Sequence, residues 1–124
     1  KRLSDTTYAA TTLYDPPESA KISQEEAFGP VVCIYPYDDR LEAIERANAL
    51  PYTFQAAVFT NNINLAMDTV KRLYATSVMV NDHTAYRADW MPFGGRRSSG
   101  FGTGGIIDSI HDLMQDKLMI INLN

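Results

Sequence analysis

A mixed α/β fold, a parallel β-α-β-α-β sheet with helices packed on it, is predicted by three observations. Short apolar runs rich in β-branched and aromatic residues stand at 31–35, 54–60 and 77–81. Segments with helical spacing of apolar residues separate them, and the connections are short. Consecutive strands joined through helices lie parallel by right-handed crossovers, with the helices covering the sheet.

The elements follow in order. Residues 1–24 are polar, with a Thr-rich extended piece at Thr11–Tyr14 that suits a short edge strand. Asp15-Pro16-Pro17 breaks it, a turn signal in which proline pre-sets φ. The run V-V-C-I-Y at 31–35 is continuous enough for a strand buried on both faces, and Pro36 closes it. Asp39 and Glu42 form a capping box for a helix with Leu41, Ala43, Ile44 and Ala47 on its apolar face, stopped by Pro51. After the second strand, F-Q-A-A-V-F-T, either Asn61 or Asn62 can cap a helix whose stripe is Ile63, Ala66, Met67, Val70, Leu73 and Tyr74. The third strand, S-V-M-V-N, precedes a long irregular loop, a helix over Ile106–Leu113 with Ile106, Ile110 and Leu113 on one side, and a last strand at 118–121 within 117–123.

The totals narrow the function classes. A chain of 124 residues, 45% hydrophobic and 21% charged, suits one soluble domain. Eleven basic against fifteen acidic residues give a net charge of −4, which argues against a surface that tracks the phosphates of nucleic acid. No apolar run has the length of a membrane span, and no signal peptide is expected. One cysteine excludes an internal disulfide, and two distant histidines give no metal-ligand spacing, so no metal and a reducing, cytoplasmic setting are expected. The chain starts on Lys1 rather than methionine, and we expect a fragment of a longer protein.

Residues 90–105 hold every glycine except Gly29, together with Trp90, Phe93, Arg96 and Arg97. Gly100-Phe101-Gly102-Thr103-Gly104-Gly105 matches G-x-G-x-x-G. A dinucleotide fingerprint needs a strand directly before it and an acidic ribose ligand about twenty residues on. Neither is available, so the glycines are read as tight turns and close backbone packing, with a small anion held by Arg96, Arg97 and a helix N-terminus as the minority reading. Cys33 sits inside an apolar strand with no histidine near it in sequence, which makes it a core residue rather than a nucleophile. His111, at helical spacing from Ile107 and Met114, is a packing or surface residue.

Two loops carry candidate binding groups. In Q-E-E-A-F-G-P at 24–30, a carboxylate can accept two hydrogen bonds from vicinal sugar hydroxyls while a phenyl ring packs on a flat base, although the residues alone favour a solvated Glu pair and a core Phe. His83 and Arg87 lie in N-D-H-T-A-Y-R-A-D-W, a loop that runs toward the glycine stretch and either lies solvated, the reading its residues favour, or lines a pocket.

Glu25-Glu26-Ala27-Phe28-Gly29-Pro30-Val31, Ala47-Asn48, Gln55-Ala56-Ala57-Val58-Phe59-Thr60, Val78-Met79-Val80-Asn81, Pro92-Phe93-Gly94-Gly95 and Ser99-Gly100-Phe101-Gly102 resemble, in order and spacing, the C-terminal part of the NAD(P)-dependent aldehyde dehydrogenases. The resemblance covers nearly the whole chain. It implies that residues 1–116 are the C-terminal portion of the catalytic domain and 117–124 an oligomerisation strand that joins a sheet spanning subunits. It also implies NAD or NADP as cofactor, with Glu26 on the nicotinamide ribose and Phe28 beside the nicotinamide. Phe93 then lies near the aldehyde, and Arg87 and His83 fall in a loop that helps set substrate choice. In that family a cysteine thiolate attacks the aldehyde, hydride passes to the nicotinamide, and a glutamate assists thioester hydrolysis. Both residues belong upstream, so the resemblance places no catalytic residue in this chain and implies that the chain alone is inactive. Arg87 can pair with a carboxylate, phosphate or sulfonate on a small aldehyde. Thr53 and Thr76 stand where the family usually has glycine. Two other classes remain, an independent small-anion-binding module and an assembly module built around the terminal strand.

Overall fold

The computed structural model describes residues 1–123, which divide into one unit of residues 1–46 and a second starting at Ala47. In the first, β1 (Thr11–Tyr14) pairs in parallel with β2 (Val31–Ile34), in the register Thr11 to Val31 through Tyr14 to Ile34. The amide of Asp15 still reaches the Ile34 carbonyl at 2.8 Å, and Asp15 then takes a φ of 47° to turn the chain into the proline pair. Between the strands lies a single helical turn not anticipated from sequence, α1 (Lys21–Gln24). It is fastened by side chains: the Ser23 hydroxyl donates to the Pro17 carbonyl at 2.8 Å and the Tyr35 hydroxyl donates to Ser23 Oγ at 2.7 Å. The helix α2 (Arg40–Ala49) starts where Asp39 accepts from the Leu41 amide at 2.7 Å, the cap expected there. On it, Arg46 pairs with Glu18 at 2.8 Å and lies over the Tyr35 ring at 5.2 Å.

The second unit contains β3 (Tyr52–Thr53), β4 (Gln55–Val58), α3 (Ile63–Arg72), β5 (Ser77–Val80), β6 (Arg96–Arg97) and α4 (Ile106–Leu113). β4 and β5 pair in parallel from Gln55–Ser77 to Val58–Val80, with α3 as the crossover. Asn62 caps α3 by accepting from the Leu65 amide at 3.1 Å. The Asn48 side chain closes the other end, donating to the Arg72 carbonyl at 2.8 Å and accepting from the Tyr74 amide at 2.9 Å.

The parallel sense of pairing is as expected, but the continuous five-element sheet is divided into three two-stranded ladders, β1-β2, β4-β5 and an antiparallel β3-β6. Apolar periodicity marks which residues form strands and carries no information on which strand lies beside which. Here β2 takes β1, a segment the pattern had left outside the unit.

Burial also departs from expectation. β2 alternates half-buried and exposed, with Val32 54% exposed, so one of its faces is open rather than both covered, and Cys33 is half-buried. On α3 the buried face centres on Ala66 and Thr69, while Ile63, Met67 and Tyr74 of the expected stripe are exposed. The α4 residues Ile106, Ile110 and Leu113 are exposed too. Among the described residues the buried apolar side chains are Ile44, Ala66 and Met79. Apolar faces of this extent mark surfaces that other polypeptide covers. Among the described residues, 114–123 form no strand, so the last strand expected at 118–121 is not seen, and Leu118, Met119, Ile120 and Ile121 are exposed.

Candidate functional site

The loop after β5 begins at Asn81, whose φ of 58° turns the chain sharply out of the strand. Asparagine is among the few residues that adopt this conformation at modest cost. Its side chain then ties the ends of both parallel strands, accepting from the Thr60 amide at 2.8 Å and donating to the Thr60 carbonyl at 2.9 Å. His83 follows in a compact turn: its amide donates to Asp82 at 2.8 Å and its Nδ1 accepts from the Ala85 amide at 3.2 Å. The hydrogen bonds of His83 stay within that turn, and its ring is exposed.

Arg87 and Phe93 are brought together. The guanidinium carbon lies 4.0 Å from the centroid of the Phe93 ring, and Phe93 meets Phe54 edge-to-face at 5.2 Å and 80°. A guanidinium on an aromatic face gains about 0.5–2 kcal/mol and keeps its N–H edge free for an anion. Among the described residues no carboxylate pairs with Arg87. Its neighbours Ala88 and Asp89, with Ile106, Ile110 and Leu113 of α4, line a groove of about 670 Å³.

Phe93 itself is held from behind by the glycine segment. Its amide donates to the Gly104 carbonyl at 2.8 Å, and the Gly104 amide donates back to Phe93, so an antiparallel bridge closes the loop 93–104. Inside that loop a Cβ at Gly94 would meet the Gly102 carbonyl oxygen at 2.6 Å, and one at Gly95 would collide with Ser99. Gly102, at φ 71°, takes a conformation that side-chain-bearing residues avoid. The glycines therefore serve close backbone packing rather than a phosphate cradle.

The loop is pinned to the parallel unit by residues that the sequence reading did not single out for that purpose. β6 pairs with β3 in the register Tyr52 to Arg97 and Thr53 to Arg96. The Ser98 amide donates to the Pro51 carbonyl at 3.1 Å and the Thr53 amide to Ser99 Oγ at 2.9 Å. Arg97, at a φ of 53° that costs a non-glycine residue about 1–2 kcal/mol, directs Nη1 at the carbonyls of Asn48 (3.3 Å) and Leu50 (3.4 Å) and lies over the Tyr74 ring at 5.2 Å. Arg97 is thus engaged by the chain itself, which weighs against the paired-arginine anion site. Thr53 and Thr76 hold negative φ, so neither turn requires the glycine expected there, and the Thr76 hydroxyl donates to the Phe54 carbonyl.

Glu26 and Phe28 lie in the first unit, in the extended loop that enters β2, with the Val31 amide donating to the Gly29 carbonyl at 2.8 Å. Phe28 is 95% exposed. A carboxylate with no partner among the described residues, two residues from a bare ring, fits a ribose diol and a flat base, neither of which asks for a cation. A pyrophosphate would, and this loop offers none. Among the described residues no cluster of metal-ligating side chains occurs, and no helix is long and apolar enough to cross a membrane.

Comparison with known proteins gives a consistent picture. A family model described as the aldehyde dehydrogenase family matches residues 1–119. A 3-sulfolactaldehyde dehydrogenase of Priestia aryabhattai is 35% identical over 116 residues, which cover 94% of this chain and 24% of that protein. An aldehyde dehydrogenase of Bacillus cereus, solved as its NAD+ complex, superposes with a TM-score of 0.90 at 32% identity over 100% of this chain and 26% of its own. Aldehyde dehydrogenase 21 of Physcomitrella patens, solved with its reaction product succinate, superposes with a TM-score of 0.80 at 34% identity, covering 86% of this chain and 22% of its own. The chain spans about a quarter of the length of these relatives.

Proposed function

Since the chain belongs to the aldehyde dehydrogenase family, we propose that it supplies the end of the catalytic domain of an oxidoreductase that converts an aldehyde to its carboxylic acid with NAD or NADP. The observation that carries this reading is the family match over residues 1–119. In it, Glu26 accepts hydrogen bonds from the nicotinamide ribose, and Phe28 packs beside the nicotinamide, which when bound takes up hydride from the substrate. Phe93 forms a wall of the aldehyde pocket, and His83 belongs to the loop that borders it. The thiol nucleophile and the general base come from polypeptide outside this chain, and the subunits associate through residues 117–124.

Arg87 gives the substrate a class. Its face is occupied by Phe93 and its edge is free, the arrangement that receives a carboxylate, phosphate or sulfonate in two parallel hydrogen bonds. Two of the similar proteins handle substrates or products of that kind, a sulfonated aldehyde and succinate. The favoured substrate is therefore a short aldehyde with an anionic group. The test is formation of reduced cofactor by the full-length protein across short aldehydes with and without an anionic group, beside the 124-residue chain alone. Turnover by the full-length protein and none by the isolated chain is expected; turnover by the isolated chain would overturn the reading.

A further inference from the structure

We propose that Arg97 is a positioning residue for the aldehyde pocket, fixing Phe93 and Arg87 by latching the 93–104 loop to the ends of α2 and α3. The proposal rests on the functional reading above for the pocket, but the latch itself rests on geometry alone.

Three observations converge on it. First, Arg97 keeps a left-handed backbone at φ 53° where glycine, abundant in this segment, would be free of strain. A non-glycine residue persists in such a conformation when its side chain is held by surroundings that fix it. Second, the side chain lies where two helices end. It donates to the carbonyls of Asn48 and Leu50, at and just beyond the C-terminus of α2, and covers Tyr74, whose amide donates to Asn48 beyond the C-terminus of α3. A cation is favoured at both places by the partial negative charge of helix C-termini. Third, the latch leads to the pocket through few bonds. Arg97 pairs with Tyr52 in β3, and Ser99 receives the Thr53 amide. The next residue, Phe54, sets its ring against Phe93, on which Arg87 stacks. Phe93 is thereby fixed twice, by its backbone bridge to Gly104 and by its ring on Phe54. The contact with Phe54 lies one residue beyond the β3–β6 ladder, so it follows the register of that pair. Two residue pairs make a short ladder, and among the described residues the other ties of this loop to the parallel unit are the Ser98 and Ser99 bonds and the Phe93 ring on Phe54.

Lysine carries one compact ammonium that cannot both fork to two carbonyls and lie flat on a ring, so Arg97→Lys retains the charge but only part of the latch. Arg97→Gly removes the side chain and relieves the backbone strain, which separates latch from strain.

The experiment is carried out on the full-length protein with Arg97→Gly, Arg97→Ala and Arg97→Lys, using two readouts. Amide hydrogen exchange should quicken across 90–105 in the glycine variant and leave the β4–α3–β5 peptides unchanged. The KM for an anionic aldehyde should rise by about tenfold in the glycine and alanine variants and less in the lysine variant, with the KM for cofactor within about twofold of the parent, as expected of a pocket wall displaced by a fraction of an ångström. Unchanged exchange in Arg97→Gly overturns the latch. Faster exchange with an unchanged aldehyde KM overturns the positioning role, and so does a parallel rise in both KM values, which is the mark of general disruption. A full-length protein that oxidises no aldehyde would sink the functional reading, while the exchange readout still decides the latch.

Discussion

Two phenylalanines face opposite situations in this chain. Phe28 stands on an extended loop, 95% exposed, in a segment tied at its ends, by the Lys21–Glu25 ion pair and by the Thr11 amide donating to the Pro30 carbonyl, and its ring makes no aromatic contact among the described residues. Phe93 is 41% exposed, bridged to Gly104, packed edge-to-face on Phe54 and covered by a guanidinium. The difference separates two ways of making a binding wall. Around Phe93 the chain builds the wall itself, with turns, a strand pair and side-chain ties. Around Phe28 it offers a face and leaves the other side to be supplied, in our reading by the cofactor and the rest of the catalytic domain.

The largest effect that sharpens this contrast is expected from Arg87→Ala in the full-length protein. Losing hydrogen bonds to a charged group costs about 1.5–3 kcal/mol, so the KM for an anionic aldehyde should rise about 10- to 100-fold. The KM for a neutral aldehyde of similar size should change little; equal effects on both substrates would remove Arg87 from anion recognition. Next comes Ser99→Ala, which leaves the Thr53 amide without its acceptor. A loss of about 1–3 kcal/mol in denaturant unfolding is expected. If stability is unchanged, the wall around Phe93 is not built in the way described. Glu26→Gln tests the opposite region. It should raise the KM for the nicotinamide cofactor about fivefold, the cost of about one weakened hydrogen bond, with no change in stability because the residue is exposed. A loss of stability there would mean that the loop is as built as the one around Phe93. The smallest effect is a gain. Thr53 is buried with its hydroxyl unpartnered, so Thr53→Val should raise stability by about 0.5–1 kcal/mol in the same unfolding assay.

The loops show what was legible at each level. Asp39 and Asn62 are found as caps because a cap acts on amides two or three residues away; Asn62 accepts from the Leu65 amide, while Asp39 accepts from the Leu41 amide rather than from that of Glu42, the capping-box partner. The glycine segment is also readable, since G-x-G-x-x-G without a preceding strand points to geometry, and Gly94 and Gly95 are hemmed in by backbone and Ser99. Arg97 is not readable in this way. As one of two adjacent arginines it suggests an anion site, and only its neighbours at Asn48, Leu50 and Tyr74 give it another task. Asn81 stands in the phrase that carries the family resemblance, yet its two hydrogen bonds with Thr60 are invisible without the strand pair.

What the sequence determined by itself was the class of structure, the segments of β1, β2, α2, β4, α3, β5 and α4 to within a few residues, and the family; α1, β3 and β6 were not anticipated, and the strand expected at 118–121 is absent among the described residues. Periodicity, caps and turn residues act within a few positions of one another, so they are written locally. Tertiary structure alone decided that β2 pairs with β1, that the stripe on α3 centres on Ala66 and Thr69, and that Arg87 lies on Phe93. The hydrogen bonds through Ser98, Ser99 and the Arg97 side chain that pin the glycine loop join residues 46 to 49 positions apart. At that separation no spacing rule connects them, and the fold must bring them together before their chemistry exists.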